Sequence, residues 1–424
     1  MYKTIAWRIR WLLDSPCARM VNHWAASRPE LDFDYLLDER NIDRIRKNIC
    51  NRKGVGDIDL VHKLWKKIQN ALNERPSVKE YQALWDKFYD ESSRIPNMSH
   101  NCAPVGDESK VETVRVFGGI KRESKHLVTA ERIARSWRSV LYPRQACGSR
   151  SYAFLGPLAE LEQALLSYVE EYLEKAGFHA LIVPDIVPSS TTSACGLQQR
   201  SGQSIKYSIL NQPGMDLSGT AEMGISDLIK NRLFKESDLP LRLTAKSRCY
   251  RPEVSKSAAE ARLYRVHEFT KVEMYVLCKP EYSDQELENL VSIQCALFDS
   301  LGLHCRLLNM PTEELGASAA RKFDIEAWMP GRQLFGEVSS ASNCTDFQAR
   351  RLGIMYESVN GEKKFAHTCN ATAVATTRTL IAILETYQDD RRNLKCLPSV
   401  LKEKMSERRC APLKLQPAPS LNVF

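Results

Sequence analysis

No Cys-x-x-Cys occurs among the 13 cysteines of this 424-residue chain, and no two histidines stand at zinc-binding spacing. Neither a structural zinc site nor a disulfide framework follows, and no resident metal or cofactor is expected. An odd, scattered set of thiols fits a reducing compartment. No apolar run approaches the roughly 18 residues needed to span a bilayer. Acid is nearly missing from the first 29 residues, where Asp14 stands alone against Lys3, Arg8, Arg10, Arg19 and Arg28. Glycine is missing from 254–262 and from 370–380.

What is present describes a globular protein: 43% hydrophobic and 26% charged residues, with a net charge of +8. The length permits two domains and a large core. A mildly basic balance permits contact with nucleic acid without specifying it. The acid-poor start interleaves its cations with Ile5, Trp7, Ile9, Trp11, Leu12 and Leu13. That pattern predicts a mitochondrial transit segment over 1–30, and so a matrix location.

Periodicity divides the remainder. Residues 31–95 read as a helical arm. Ile42, Ile45 and Ile49 share a face of one helix over 38–51. Asp59 is expected to cap a second, carrying Leu64, Trp65 and Ile68, and Tyr81, Leu84, Trp85 and Phe88 mark a third. At 1.5 Å per residue, helices of about 16 residues reach about 24 Å. Lys63, Lys66 and Lys67 give this arm a basic side. Over 96–395, Leu158 to Ala176 is an amphipathic helix stopped by Gly177, and His179 to Val183 is a strand. Leu241 to Tyr250 and Leu263 to Val276 form a strand–loop–strand. Arg251 and Glu253, two residues apart, are expected to share a face, as are Arg265, Lys271 and Glu273. Residues 396–424 form a basic tail.

Tyr250-Arg251-Pro252-Glu253 followed by Arg265-Val266-His267-Glu268-Phe269-Thr270-Lys271-Val272-Glu273 resembles motif 2 of class II aminoacyl-tRNA synthetases, in its seryl-tRNA synthetase form. Further matches follow the same order. Ile95-Pro96-Asn97 with Pro104-Val105-Gly106 resembles that family's linker, and Thr220-Ala221-Glu222 its T-x-E loop. The helix and strand over 158–183 resemble motif 1. The most specific match is Glu337-Val338-Ser339-Ser340-Ala341-Ser342-Asn343-Cys344, continuing through Asp346-Phe347-Gln348-Ala349-Arg350-Arg351.

The resemblance implies an α+β class II synthetase domain, mainly antiparallel, behind a short helical hairpin. It also implies roles. Thr220 and Glu222 would hold the amino group of serine, Arg251 its carboxylate and the α-phosphate, and Glu273 its hydroxyl, with Asn370 in the same pocket. Phe269 and Arg378 would sandwich adenine, with Glu253 beside them. Glu337 and Ser340 would meet magnesium and the ATP phosphates.

The third motif of that family is glycine-rich, and here it reads Asn370-Ala371-Thr372-Ala373-Val374-Ala375-Thr376-Thr377-Arg378. Ala371, Ala373 and Thr377 are therefore expected to crowd the nucleotide floor, since overpacking costs about 1–3 kcal/mol per site. Glu268 would add negative charge near the triphosphate. With these departures the chain resembles the non-charging seryl-tRNA synthetase-like mitochondrial proteins of insects. The resulting expectation is a non-catalytic paralogue with a vestigial pocket, pairing through its motif 1 surface with the mitochondrial seryl-tRNA synthetase. Contacts to mitochondrial tRNA or other RNA would come from the arm and from Arg391, Arg392, Arg408 and Arg409. Two alternatives stay open: an active mitochondrial serine–tRNA ligase, and a stand-alone nucleic-acid binder.

Overall fold

The computed structural model describes residues 28–74, 77–124, 126–143, 148, 150–197, 205–253, 262–389 and 397–406. Most of the transit segment, the loop 254–261, the tail from 407 and Arg391, Arg392, Arg408 and Arg409 lie outside the described residues.

The arm is built from α1 (Ile42–Asn51), α2 (Ile58–Glu74) and α3 (Val78–Ser93). Its apolar stripes close on one another: Ile45, Ile49, Leu64, Ile68, Trp85 and Phe88 are all buried in a core of the arm's own. Ser77 caps α3 through a reciprocal box with Glu80, which satisfies two otherwise orphaned donors. The cap of α2 differs from expectation. Asp57 accepts from the Leu60 N–H at 2.9 Å, while Asp59 already lies inside the helix and pairs with Arg46. The single helix expected over 38–51 is likewise interrupted, a 3₁₀ turn at Glu39–Asn41 preceding α1.

The body is built on an eight-stranded sheet, with three smaller sheets beside it: β1 (Glu112–Gly118), β2 (His179–Leu181), β3 (Leu241–Tyr250), β4 (Glu268–Cys278), β5 (His304–Asn309), β6 (Arg321–Met329), β7 (Leu334–Thr345) and β8 (His367–Ala375). Their spatial order is β1-β5-β6-β7-β8-β4-β3-β2. Every neighbouring pair is antiparallel except β2 with β3. This is the mainly antiparallel α+β sheet that the resemblance implied. Five further helices matter: α4 (Gly156–Lys175), α5 (Ala221–Leu228), α6 (Ser283–Ser300), α7 (Phe347–Leu352) and α8 (Thr376–Tyr387).

Alternation along β4 explains where the site sits. Val272, Met274 and Val276 enter the main core with Leu161 and Leu165 of α4, Leu290 of α6 and Leu380 of α8. The intervening side chains face the other way. There, Tyr275 and Leu277 pack under Ile225 of α5 and Leu352 of α7. Helices thus cover one sheet face and only part of the other. The uncovered stretch, over Lys271 and Glu273, is where polar side chains gather.

Candidate functional site

β8 lies beside β4 and obeys the same rule. Asn370 and Thr372 point to the open face, donating to carboxylates of Glu222 (2.8 Å) and Glu273 (3.2 Å). Ala371 and Ala373 point the opposite way, 0% and 1% exposed, into the main core beneath the helices. This corrects the expectation that they crowd the nucleotide floor: a strand alternates its side chains, and these methyl groups are on the far side of it. Nor does any residue from 370 to 378 stand at positive φ, so glycine's conformational freedom is not needed there. Of the three departures only Thr377, in the first turn of α8, reaches the cleft wall.

Two chambers share this face. The larger, about 440 Å³, is lined by Thr220, Glu222, Met223, Gly316, Ala317 and Ser318. Arg251 and Glu253 line both it and a narrower one of about 70 Å³, which also takes in Phe269, Glu337, Ser340, Thr377 and Arg378. Arg251 and Glu253 do not extend a strand face as expected, because β3 ends at Tyr250 and Glu253 turns to φ 29°. His267 sets Arg251 instead: its carbonyl accepts from the Arg251 N–H at 2.8 Å. Arg265 also lies outside β4 and pairs with Glu253 at 3.2 Å. Glu268 faces Arg248 (3.1 Å) and does not line the narrow chamber.

In the larger chamber Glu222 is buried, accepting from Gln348 as well as Asn370. Burial first, and then the charge of Glu273, push its carboxyl up to about 7. The Thr220 hydroxyl beside it is buried without a hydrogen-bond partner. A hydroxyl beside a carboxylate offers the oxygen acceptors that an ammonium takes. Glu273 and Asn370 do not line either chamber directly. Asn370 reaches the larger chamber through Glu222, whereas Glu273 is held by Lys271 at 2.5 Å and by Thr372, both on the wall of the narrow one. Reading the motifs missed Thr372 and Gln348, and gave Lys271 only a face shared with Glu273. For Thr372 the signal was available: it stands two from Asn370 on one strand.

In the narrow chamber, Arg378 donates to the Glu337 carbonyl (3.0 Å) and carboxylate (3.2 Å) and lies over the Tyr264 ring at 4.6 Å. Burial raises the Glu337 carboxyl, but Arg378, Lys322 and Arg251 outweigh it and bring it down to about 2. Phe269 lines this chamber with Arg378, and the Arg251 guanidinium covers its ring at 5.4 Å. Among the described residues no three His, Cys, Asp or Glu side chains gather as a metal site. One charged carboxylate and a serine hydroxyl suit a magnesium ion that brings its other ligands with it, as one carried by a triphosphate does.

Comparison with known proteins agrees with this geometry. The family described as tRNA synthetase class II core domain (G, H, P, S and T) matches residues 209–387. The mitochondrial serine–tRNA ligase of Mus musculus is 43% identical over 313 residues, covering 72% of this chain and 60% of its own. The chain thus spans about 60% of the length of that relative. The serine–tRNA ligase of Treponema denticola is 33% identical over 413 residues, covering 87% of this chain and 97% of its own. The crystal structure of seryl-tRNA synthetase from Pyrococcus horikoshii complexed with ATP superposes with a TM-score of 0.78 at 26% identity, covering 91% of this chain and 100% of that one. These relatives overturn the expectation of a non-catalytic chain. The crowding on which it rested is gone from two of its three positions.

Proposed function

The chain belongs to the seryl-tRNA synthetase family of class II, and from that premise we propose that it is a serine–tRNA ligase working in mitochondria. The observation that carries this reading is the larger chamber: the unpartnered Thr220 hydroxyl beside the Glu222 carboxylate, with Arg251 on the wall shared with the narrow chamber. A small amino acid places its ammonium on Thr220 and Glu222 and turns its carboxylate to Arg251. Its side-chain hydroxyl is turned toward Thr372 on the narrow-chamber wall, behind which Lys271 and Thr372 hold Glu273. A site built to hydrogen-bond a hydroxyl rejects the analogue without one strongly, because buried polar groups are then left unpaired.

In activation, a serine carboxylate oxygen bonds to the α-phosphorus of ATP and the bond to pyrophosphate breaks. The protein's work is positioning and charge. Arg251 swings from Phe269 to the reacting carboxylate and α-phosphate, which frees the ring face for adenine. Arg378 and Glu337, locked to each other, face the nucleotide end, and Glu337 with Ser340 would hold a magnesium ion that offsets the phosphate charge. In transfer, a terminal tRNA hydroxyl attacks the acyl carbon and AMP leaves. The arm's Lys63, Lys66 and Lys67 contact the tRNA backbone. The α4–β2 surface, where Ile182 is fully exposed beside the edge strand, is the subunit contact. Co-purification decides whether a second copy or another synthetase occupies it.

The mitochondrial assignment is supported by the Arg-rich start and by the mouse relative. Serine-dependent exchange of pyrophosphate into ATP tests the activity. Turnover above a serine-free blank is expected, with alanine and threonine much poorer. No exchange, in a preparation that charges no serine-accepting tRNA, would sink the reading.

A further inference from the structure

Arg52 ends α1, the last turn of the arm before its hairpin, and is 5% exposed. Its guanidinium reaches across to the body and donates to the carbonyls of Ala319 (2.8 Å) and Gly316, as well as to that of Asn97 (2.7 Å). Asn97, in the linker below the arm, holds the two carbonyls between them: its N–H donates to Ala317 O (2.9 Å) and its amide to Ser318 O (2.8 Å). All four consecutive carbonyls from 316 to 319 are therefore gripped from the arm side. Lys53 adds an ion pair to Glu314 at 2.9 Å.

The opposite side of this segment is the wall of the larger chamber, where Gly316, Ala317 and Ser318 face Thr220 and Glu222. It is tight there too. Gly196 stands at φ +93°, and a Cβ on it would lie 2.9 Å from the Ser318 hydroxyl. That hydroxyl donates to Cys195 O at 3.2 Å. A segment held by its carbonyls behind and pressed on a glycine in front has no slack. The narrow chamber takes no residue from 314–320.

We infer that Arg52 is a positioning residue for the amino-acid site: from the arm, it fixes the 316–319 wall against which serine packs, and it does so for serine and not for ATP. The inference rests on the ligase reading. It adds that the arm, the element proposed to grip tRNA, and the serine chamber share one hydrogen-bonded frame, so that movement of the arm base is felt by the amino acid.

The experiment compares full-length wild type with Arg52→Met, Arg52→Lys and, as an arm-tip control, Ser77→Ala, in pyrophosphate exchange without tRNA. Arg52→Met is expected to raise the KM for serine roughly tenfold, the effect of losing about one well-formed hydrogen bond's worth of positioning. The KM for ATP and kcat should stay within about twofold, since neither depends on that wall. Arg52→Lys, whose ammonium still reaches a carbonyl, should recover part of the loss, and Ser77→Ala should lower the melting temperature without touching either KM. An unchanged serine KM in Arg52→Met, or serine and ATP constants rising in step, overturns the inference. Should Arg52→Met not fold, Arg52→Lys carries the same comparison with a smaller rise. Wild-type exchange reports on the ligase reading separately, so the two fail independently.

Discussion

Glu222 is the side chain whose state near neutrality matters most. With burial and Glu273 lifting it to about 7, the native chain keeps a proton that the unfolded chain has already released above its ordinary value of 4.5. Stability contributed by this group is therefore present below 4.5 and declines as pH rises through 7. Serine binding has the opposite demand, because an ammonium needs the carboxylate charged. The KM for serine is expected to fall as pH rises from 6 to 8. Glu222→Gln should flatten that profile and cost about 10–100-fold in kcat/KM, equivalent to one charge-assisted hydrogen bond of about 1.5–3 kcal/mol. A variant that kept the slope would place the titration elsewhere. Ala371 and Ala373 give a second test at the same scale. Restoring glycine at either is expected to destabilise the chain by about 0.5–1 kcal/mol, through lost backbone restriction. The KM for ATP should be unmoved, read by denaturant melts beside exchange kinetics. A marked gain in ATP affinity would return the methyl groups to the nucleotide floor.

At the scale of elements, what could be read from sequence was whatever repeats. The bounds of β3 came out as drawn, Leu241 to Tyr250, because its ends are marked by Pro240 and by Arg251-Pro252. The arm helices followed from their apolar stripes. Errors fell where two neighbours compete for one job. Asp57 and Asp59 both suit a helix start, and the chain chooses the one whose carboxylate reaches the Leu60 N–H. Asp57→Ala should cost about 1 kcal/mol of stability by this loss, and Asp59→Ala markedly less, since its exposed pair with Arg46 is worth little. Equal losses in thermal melts would undo that assignment. The alanines of β8 were misjudged for a different reason. A motif compared position by position carries no direction for its side chains, whereas the alternation of Asn370 and Thr372 with Ala371 and Ala373 does carry it. Arg52 had no local signature at all. Its partners, Gly316 and Ala319, are more than 260 positions away.

For the molecule as a whole, the two chambers and the arm divide the work, and that division is measurable. Lys63, Lys66 and Lys67 lie on α2, away from both chambers. A polyanion held by such residues releases counterions, so its binding weakens with salt in proportion to the phosphates contacted. Replacing all three lysines by glutamine should raise the KM for tRNA in charging assays several-fold at physiological salt. It should also reduce the slope of log KM against log salt by about 2–3, since each phosphate contact is worth close to one unit of slope. Pyrophosphate exchange, which needs no tRNA, should be unaffected. If exchange fell together with charging, the arm would be acting on the chambers through the Arg52 frame and not on the RNA. If neither changed, the lysines would be a solvated face, and the tRNA would have to be gripped by another part of the chain.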